Sequence, residues 1–231
     1  MRRLAPLAAL SLAATVSFVS LASSAGAAST STQSRGEALV ASALTATKGA
    51  KSFSVHGVST STAAKVVIDL TAGPQDAFGV LTYSGQSTQI RRVGTKVYVK
   101  STKGYLLNQG ASASQAAVEA NKWFQIPSSE SSSYKSLMQF LSVSAILSGL
   151  APPSSKGTVT SVKNTTFQGQ KAYVVSGTFD SQQGSFTIAA KGKPYLLQIV
   201  DAQTSSGGGT VTLSNYNKPV HTTVPKGAVT Q

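Results

Sequence analysis

The chain has 231 residues, with 20 lysines and arginines, 7 aspartates and glutamates, a net charge of +13 and no cysteine. The lack of cysteine excludes disulfide bonds, thiolate nucleophiles and cysteine-ligated metal sites. The charge favours an anionic partner, such as a membrane surface or a wall polymer. Because the basic residues are spread thinly, whereas nucleic-acid-binding proteins concentrate them on one element, we expect no nucleic-acid partner.

The N-terminal stretch has the layout of a secretory signal peptide. Arg2 and Arg3 precede an apolar run over residues 4–21, and the small residues Ala25-Gly26-Ala27 form an A-x-A site. We expect residues 1–27 to be removed on export, with a retained membrane anchor as the alternative. Since no cysteine is available to carry a lipid at the cleavage point, we expect a secreted protein of the cell envelope that is not lipid-anchored.

One folded domain is predicted after this leader. Residues 28–34, rich in Ser, Thr and Ala, are predicted to form a disordered tether. Residues 35–231 are predicted to form a single domain, a usual size for β-rich folds. The segment SRGEALVASALTATKGA predicts a helix, because Ser34 and Glu37 have the spacing of a capping box and Gly49 is placed to end the helix.

The pattern then changes to the period of two that is typical of β-strands. In KVVIDLTA, alternation places Val66, Ile68 and Leu70 on one face. The segments KSFSVHGVS, FGVLTYSG, STQIRRVG and KVYVKS, separated by Gly-containing turns, complete an antiparallel meander.

The stretch RRVGTKVYVK raises the question of a cationic binding surface. Alternation puts Val97 and Val99 on one face of its strand, and the lysines and the tyrosine on the other. Its G-x-K-x-Y-V pattern recurs from Gly169, which favours a scaffold feature over a binding motif. Arg91 and Arg92, before the turn, remain candidates for contact with an anionic head group. Which face of this strand is concave is left open.

A wide apolar surface distinguishes the segment SSSYKSLMQFLSVSAILSGLAPP, which predicts one long helix. Apolar residues cover well over half of its circumference and leave Lys135, Gln139 and Ser142 as a narrow polar strip. A surface helix normally has one apolar stripe, so we expect contact on two sides, with a sheet beneath. Before it, SASQAAVEANK predicts a short helix and NKWFQIP a short extended segment.

Five more strands are predicted in the last third, from KGTVTSVKNTTF, KAYVVSGTFD, GSFTIAAKG, PYLLQIVDAQ and GGTVTLSNYN. Turn residues separate them. A proline-containing tail, KPVHTTVPKGAVTQ, is predicted to cross the rim of the sheet.

Few residues could support catalysis. The histidines, His56 and His221, lie in a predicted strand and in the tail, and the acidic residues are scattered without metal-ligand spacing. Ser132 and Lys135 form an S-x-x-K match, but the S-D-N and K-T-G partners of penicillin-recognising enzymes are missing. We therefore expect no metal, no cofactor and no enzymatic activity, and a hydrolase is the most distant alternative.

The order of these segments resembles the LppX/LprG-type lipid-binding proteins of actinobacteria, which are related in architecture to LolA and LolB. A helix before KSFSVHG, a meander with GTKVYVK, then KWFQIP, a central amphipathic helix and a closing meander with GKPYLLQI and LSNYN follow the family order over residues 38–225. The order, rather than any one motif, carries the resemblance. The lipobox cysteine of the better-known members is missing.

The resemblance implies an α+β fold: a strongly curved antiparallel β-sheet (a half-barrel) with α-helices on its concave face. An apolar cavity between them would hold a lipid or other hydrophobic small molecule. The resemblance thus implies a protein that binds lipid and acts as a lipid carrier. The alternative is a structural or interaction module of the cell envelope, with a filled cavity, that binds an anionic wall polymer or a partner protein. The residues expected to line the cavity are Val66, Ile68, Leu70, Val97, Val99, Trp123, Leu137, Phe140, Leu141 and Leu147.

Overall fold

The computed structural model describes residues 30–61, 64–129, 131–150, 157–179, 182–202 and 208–230, without the side chains of residues 131, 147–150 and 182. The predicted signal peptide and its cleavage site lie outside the described residues. The helices are α1 (Thr30–Lys48), α2 (Lys103–Asn108), α3 (Ala113–Glu119), α4 (Ser131–Phe140) and α5 (Val143–Leu150). The strands are β1 (Phe53–Thr60), β2 (Lys65–Ala72), β3 (Asp76–Tyr83), β4 (Gln86–Val93), β5 (Lys96–Ser101), β6 (Phe124–Ile126), β7 (Gly157–Phe167), β8 (Gln170–Phe179), β9 (Gln182–Ala189), β10 (Leu196–Asp201), β11 (Gly208–Ser214) and β12 (Val229–Thr230).

All of these strands belong to one open sheet. Their order is β12-β6-β5-β4-β3-β2-β1-β11-β10-β9-β8-β7, and neighbours are antiparallel except for β12, which pairs parallel with β6. The two meanders read from the sequence are therefore joined where β1 pairs with β11. This architecture, with helices on one face of a curved and mostly antiparallel sheet, confirms the predicted α+β fold class.

Glycines allow the sheet to curve. Gly177 of β8 pairs with Gly184 of β9. A Cβ atom added to Gly177 would meet the carbonyl oxygen of Thr158, and one added to Gly184 would meet the carbonyl oxygen of Val200 at 2.5 Å. Neighbouring backbone thus occupies the space that a side chain would need, as expected where a strand bends sharply. The face on which these glycines lie is the concave one.

The helices cover this concave face in two apolar clusters. In the first, Val40 and Ala43 of α1 pack with residues of β1 and of strands β7 to β11, among them Val175, which shares its face with Gly177. In the second, Leu137 and Leu141 pack with residues of strands β2 to β6. Val143 and Ile146 of α5 contact both clusters. The helix α5 therefore lies over the middle of the sheet, where the two halves meet.

Helix α1 begins earlier than the sequence suggested. It includes residues 30–34, so the prediction of a disordered tether over 28–34 is wrong for these residues. The amide of Gln33 provides a physical reason, since it donates to the carbonyl oxygen of Gly157 at 2.7 Å and accepts from the N–H of Val159 at 2.7 Å. Both belong to β7, an edge strand whose outer backbone groups have no strand partner. The extra helical turns therefore protect a sheet edge.

The single long helix predicted from SSSYKSLMQFLSVSAILSGLAPP is instead two helices. The break falls at Leu141 and Ser142. The carbonyl oxygen of Ser142 accepts from the N–H of Ile146 at 3.0 Å, and its hydroxyl lies 3.0 Å from that of Ser144, as expected when a serine begins a new helix. Leu141 is fully buried at the break. The two helices can therefore follow different parts of the curved sheet.

The C-terminal tail crosses one end of the first meander, as predicted. The N–H of Thr222 donates to the carboxylate of Asp76 at 3.2 Å, at the start of β3. Further on, Arg91 of β4 donates to the carbonyl oxygen of Thr223 at 3.5 Å. The tail then ends as β12 beside β6, so it joins the centre of the sheet to its edge.

The curvature makes a prediction about two glycines. Gly177→Ala should lower the free energy of unfolding by about 2 kcal/mol, because overpacking against the backbone of β7 forces the strands apart. Gly57→Ala is the matched control, since its new Cβ would meet only Ile68 and Val211, at an ordinary contact distance of 3.9 Å. Urea unfolding of both variants and the wild type measures the difference. Equal stabilities would contradict the role given to Gly177.

Candidate functional site

The concave face of β5 is now identified. Val97 pairs with Ile126 and Val99 with Phe124, and all four contribute to the apolar cluster beneath α4. Val97 and Val99 therefore face the helices. Lys96 is exposed and Lys100 half-exposed on the opposite, convex face. The lysines of RRVGTKVYVK thus lie on the outside of the scaffold.

Most of the residues predicted to line a cavity come together in one place. They occupy facing positions, on the concave side of β2 and β5 and on the sheet-facing side of α4, and they form a single apolar cluster. Val66 lies on the same face, near the start of β2, where it pairs with Tyr83 at the end of β3. The side chain of Leu147 lies outside the described part of the chain. The clustered residues are Ile68, Leu70, Val97, Val99, Leu137, Phe140 and Leu141.

Packing in this interior is uneven. Val97 and Leu141 have no exposed surface and Leu137 has 7%, so the layer directly beneath α4 is filled. Ile68, Phe140 and Val143 are only partly buried, although they contact the same cluster. Partly exposed apolar side chains on an inward-facing surface mark the space where a hydrophobic ligand could be held.

Gly57 lies in the middle of this less tightly packed region. It pairs with Ile68 on one side and with Val211 on the other, and both of these neighbours are partly buried. A Cβ added to Gly57 would have its nearest neighbours at 3.9 Å. Gly57 is itself buried, so this position contributes only backbone to the centre of the concave face and could accept a small side chain.

The sequence reasoning missed several members of this surface, including Gly57. Met138, Val143, Ile146 and Phe124 also belong to it. The period of two places Gly57 on one side of its strand with Val55, but a residue without a side chain was not expected to line a cavity. The spacing of Val143 and Ile146 follows the period of a helix. The contribution of Phe124 depends on the pairing of β6 with β5, which is not visible in a three-residue strand.

Trp123 lies elsewhere than expected. Phe124 faces the helices, so the preceding tryptophan points to the convex face, where the Arg91 guanidinium carbon lies 5.0 Å from the centre of its ring. Its carbonyl oxygen accepts from the N–H of Val229 in the tail, at 2.9 Å. This arrangement corrects the expectation that Trp123 lines the interior. The indole instead forms a cation–π contact at the sheet edge.

The two arginines expected to contact a head group are on opposite faces. Arg91 is on the convex face, half-buried between Trp123 and the tail. Arg92 points inward, is only 6% exposed, and pairs with Val97 in the sheet. Its Nη2 donates to the carbonyl oxygen of Gly73 at 2.5 Å. Arg92 is therefore not part of a surface patch, which corrects the expectation of a paired contact with a head group at the rim.

Tyr98 is buried although it lies on the convex face. It is 2% exposed and pairs with Arg91 and with Gln125. Burial raises the pKa of Tyr98. Alternation alone would have left this side chain in water, so the convex side of β5 is also covered.

Groups for catalysis are not brought together in the described part of the chain. His56 and Asp69 form an ion-pair contact with 2.5 Å between Nδ1 and Oδ1, but both side chains are more than half exposed on the convex face. Among the described residues there is no group of three or more His, Cys, Asp and Glu side chains that could hold a metal ion. The same residues include no helix that is both long and apolar enough to cross a membrane.

A separate groove lies on the outer side of α1. It has a volume of about 600 Å³ and is lined by Ala41, Ser42, Thr45, Ala46 and Gly49, together with Lys193 and Pro194. These helix residues are mostly exposed. The groove therefore faces solvent and is distinct from the interior between sheet and helices.

The fold and its apolar interior define a class of protein: an open, curved sheet with helices on its concave face. No protein-family model and no curated protein sequence matches the chain. Among solved structures, LprF from Mycobacterium bovis is similar with a TM-score of 0.51 and 17% identity, over 86% of this chain and 99% of that one. The lipoprotein LppX from Mycobacterium tuberculosis is similar with a TM-score of 0.48 and 21% identity, over 81% of this chain and 98% of that one.

The likeness to LprF shows that the two chains share a fold. It confirms, at the level of fold, the resemblance to LppX/LprG-type proteins that the order of sequence motifs predicted. A LolA-superfamily protein from Nitrosomonas europaea is also similar, with a TM-score of 0.27 and 11% identity over 81% of this chain.

The placement of Trp123 makes a second prediction. Because Trp123 is the only tryptophan, its fluorescence reports on the contact with Arg91. Arg91→Gln should shift the emission to longer wavelength, increase quenching by acrylamide and lower the free energy of unfolding by about 1 kcal/mol, the usual size of a cation–π contact. Lys96→Gln removes an exposed charge nearby and should change none of these. Unchanged emission in Arg91→Gln would refute the contact.

Proposed function

We propose that the protein binds a lipid or other hydrophobic small molecule between the concave face of the sheet and helices α4 and α5, and that it acts as a non-enzymatic carrier outside the cytoplasm. The observation that carries this proposal is the set of apolar side chains that face inward and yet stay partly exposed: Ile68, Phe124, Met138, Phe140, Val143 and Ile146. Such a surface is costly in water unless something covers it.

The proposed mechanism is sequestration. When an acyl chain binds, apolar surface of the chain and of the protein is removed from water. This burial contributes roughly 25 cal/mol per Å² to the free energy of binding. The break at Ser142 supports a route of entry, since α4 packs on one apolar cluster and α5 on both, and the two helices could separate there without either one unfolding. Binding then requires movement of helices rather than of the sheet.

The N-terminal sequence and the similarity in fold support a location outside the cytoplasm. The N-terminal sequence favours export, and the similar protein LppX is a lipoprotein. This chain lacks the cysteine that a lipid anchor needs. We therefore propose that it acts in the cell envelope without an anchor of its own, with its positive charge drawing it to anionic membrane surfaces.

A second candidate is a structural module with a filled interior, which would bind an anionic wall polymer or a partner protein through its basic surface. The observation that favours it is the complete burial of Val97, Ile126 and Leu141, which leaves no space directly beneath α4. The two candidates differ in whether the centre of the sheet, around Gly57, accepts a ligand.

Gly57→Leu tests this difference. The new side chain would occupy the centre of the concave face, where the proposed ligand would lie. The affinity for hydrophobic ligands should therefore fall about tenfold, because overpacking costs on the order of 1–3 kcal/mol. Lipid extraction and native mass spectrometry of the purified protein measure the bound material, and displacement of a neutral naphthylamine dye measures affinity.

Val58→Phe is the matched control, because Val58 is the next residue on β1 and lies on the convex face. It should keep the ligand and the dye affinity of the wild type. A wild type that carries no lipid and binds no dye would refute the carrier function and favour the structural module. Equal loss in both variants would show that the ligand is not held on the concave face.

A further inference from the structure

Arg92 is a cation within an apolar layer. In the register of the sheet it lies between Ala77 and Val97, in a row that continues to Ala72 and Ile126. Each of these four neighbours is at most 1% exposed and belongs to the cluster beneath α4. The stem of Arg92 thus starts among small and aliphatic side chains on the inner face of the sheet, and its guanidinium reaches the turn between β2 and β3 at Gly73.

The hydrogen bonds of Arg92 are incomplete. Its Nη2 donates to the carbonyl oxygen of Gly73, while its Nε is buried and has no hydrogen-bond partner. A guanidinium has five donors in a fixed plane and no acceptor. A buried donor without a partner is uncommon in folded proteins and calls for an explanation, such as a missing ligand.

Among the described residues, no carboxylate forms an ion pair with Arg92. Asp76 is the acidic residue whose charge acts on Arg92. Its two carboxylate oxygens, however, accept hydrogen bonds from the backbone N–H of Gly94 at 3.4 Å and of Thr222 at 3.2 Å. The one ion pair within 4 Å between described side chains joins His56 to Asp69 on the other face. Burial lowers the pKa of Arg92, and the charge of Asp76 only partly offsets this effect.

The cost of this arrangement decides its interpretation. A charge taken out of water without a counter-charge is strongly unfavourable, and an arginine remains charged at neutral pH. An apolar residue would fill the same position at lower cost. The position is therefore suited to a molecule that supplies both an apolar body, for the surrounding cluster, and one negative group, for Nε–H.

We propose that Arg92 binds the ionised carboxylate of an unesterified long-chain acid, whose chain lies along the concave face. This inference rests on the proposed function and specifies its ligand class. A carboxylate fits because it is compact, whereas Ala72 and Ala77 beside Arg92 are fully buried, so a bulky head group would have to reach solvent. A carboxylate and a guanidinium also match in geometry and charge.

The competing interpretation is that Arg92 only ties down the turn between β2 and β3 through Gly73. In that case, replacing Arg92 would lower the free energy of unfolding, and would change the affinities for acidic and neutral ligands equally. The comparison of two ligands with the same chain separates the two roles.

The test uses the purified protein, stripped of bound lipid, with dodecanoate and dodecanol as probes at neutral pH. Affinities come from displacement of the neutral naphthylamine dye. The wild type should prefer dodecanoate by about tenfold or more, as charge-assisted hydrogen bonds allow. Arg92→Met should lose this preference and keep its affinity for dodecanol, while Arg91→Met, with the same change in net charge, should keep the preference.

The outcomes are distinct. Equal binding of both probes by the wild type would overturn the assignment to Arg92 and leave the proposed function intact, and this result does not depend on any variant folding. Equal losses for both probes in Arg92→Met would assign Arg92 to the scaffold. Stronger binding of dodecyl phosphate than of dodecanoate would overturn the carboxylate. Failure to bind either probe would refute the carrier function itself.

Discussion

The close approach of neighbouring backbones at the concave glycines is the constraint on which the structure depends. At Gly177 and Gly184, and likewise at Gly79 of β3, the adjacent strand occupies the place of a side chain, so the sheet can bend at these positions. A bent sheet has a concave face too deep for one helix to cover. Three helices therefore share it, with α1 on one half, α4 on the other and α5 between them. The uneven packing at the centre is a consequence of covering a curved surface with straight elements.

The division of the central helix follows from the same geometry. A straight helix as long as the segment from α4 to α5 would lose contact with a curved sheet at one end. The polar residue Ser142 at the break satisfies the start of α5, while Leu141 keeps the chain anchored in the core. The apolar residues that suggested one helix with contacts on two sides are divided between two helices, which pack on the two clusters of the sheet.

Much of the fold could be read from the sequence because its signals are local. The alternation in β2 and β5 placed Ile68, Leu70, Val97 and Val99 together, since each strand exposes one face to the core. The inward position of Arg92 could also have been predicted from the sequence. A two-residue turn at Gly94 and Thr95 forces Arg92 to pair with Val97, and paired residues share a face.

The position of Trp123 could not be predicted from the sequence, because it depends on β6 pairing with β5 across a long insertion and on the tail lying beside β6. Long-range contacts of this kind leave no periodic signal.

The basic residues of β4 and β5 differ in their surroundings on the two faces of the sheet. Lys96, Lys100 and Arg91 lie on the convex side, where water, an aromatic ring or a backbone carbonyl accommodates them, and this is what the overall charge of the chain would suggest. Arg92 does not follow that rule, although Ala72 and Ala77 beside it show that this layer otherwise selects small apolar side chains. Where the described side chains otherwise satisfy hydrogen bonding and charge, one buried position that satisfies neither is best explained by function rather than by stability. The unpaired Nε of Arg92 is such a position, and it lies in a layer whose apolar side chains are otherwise fully buried.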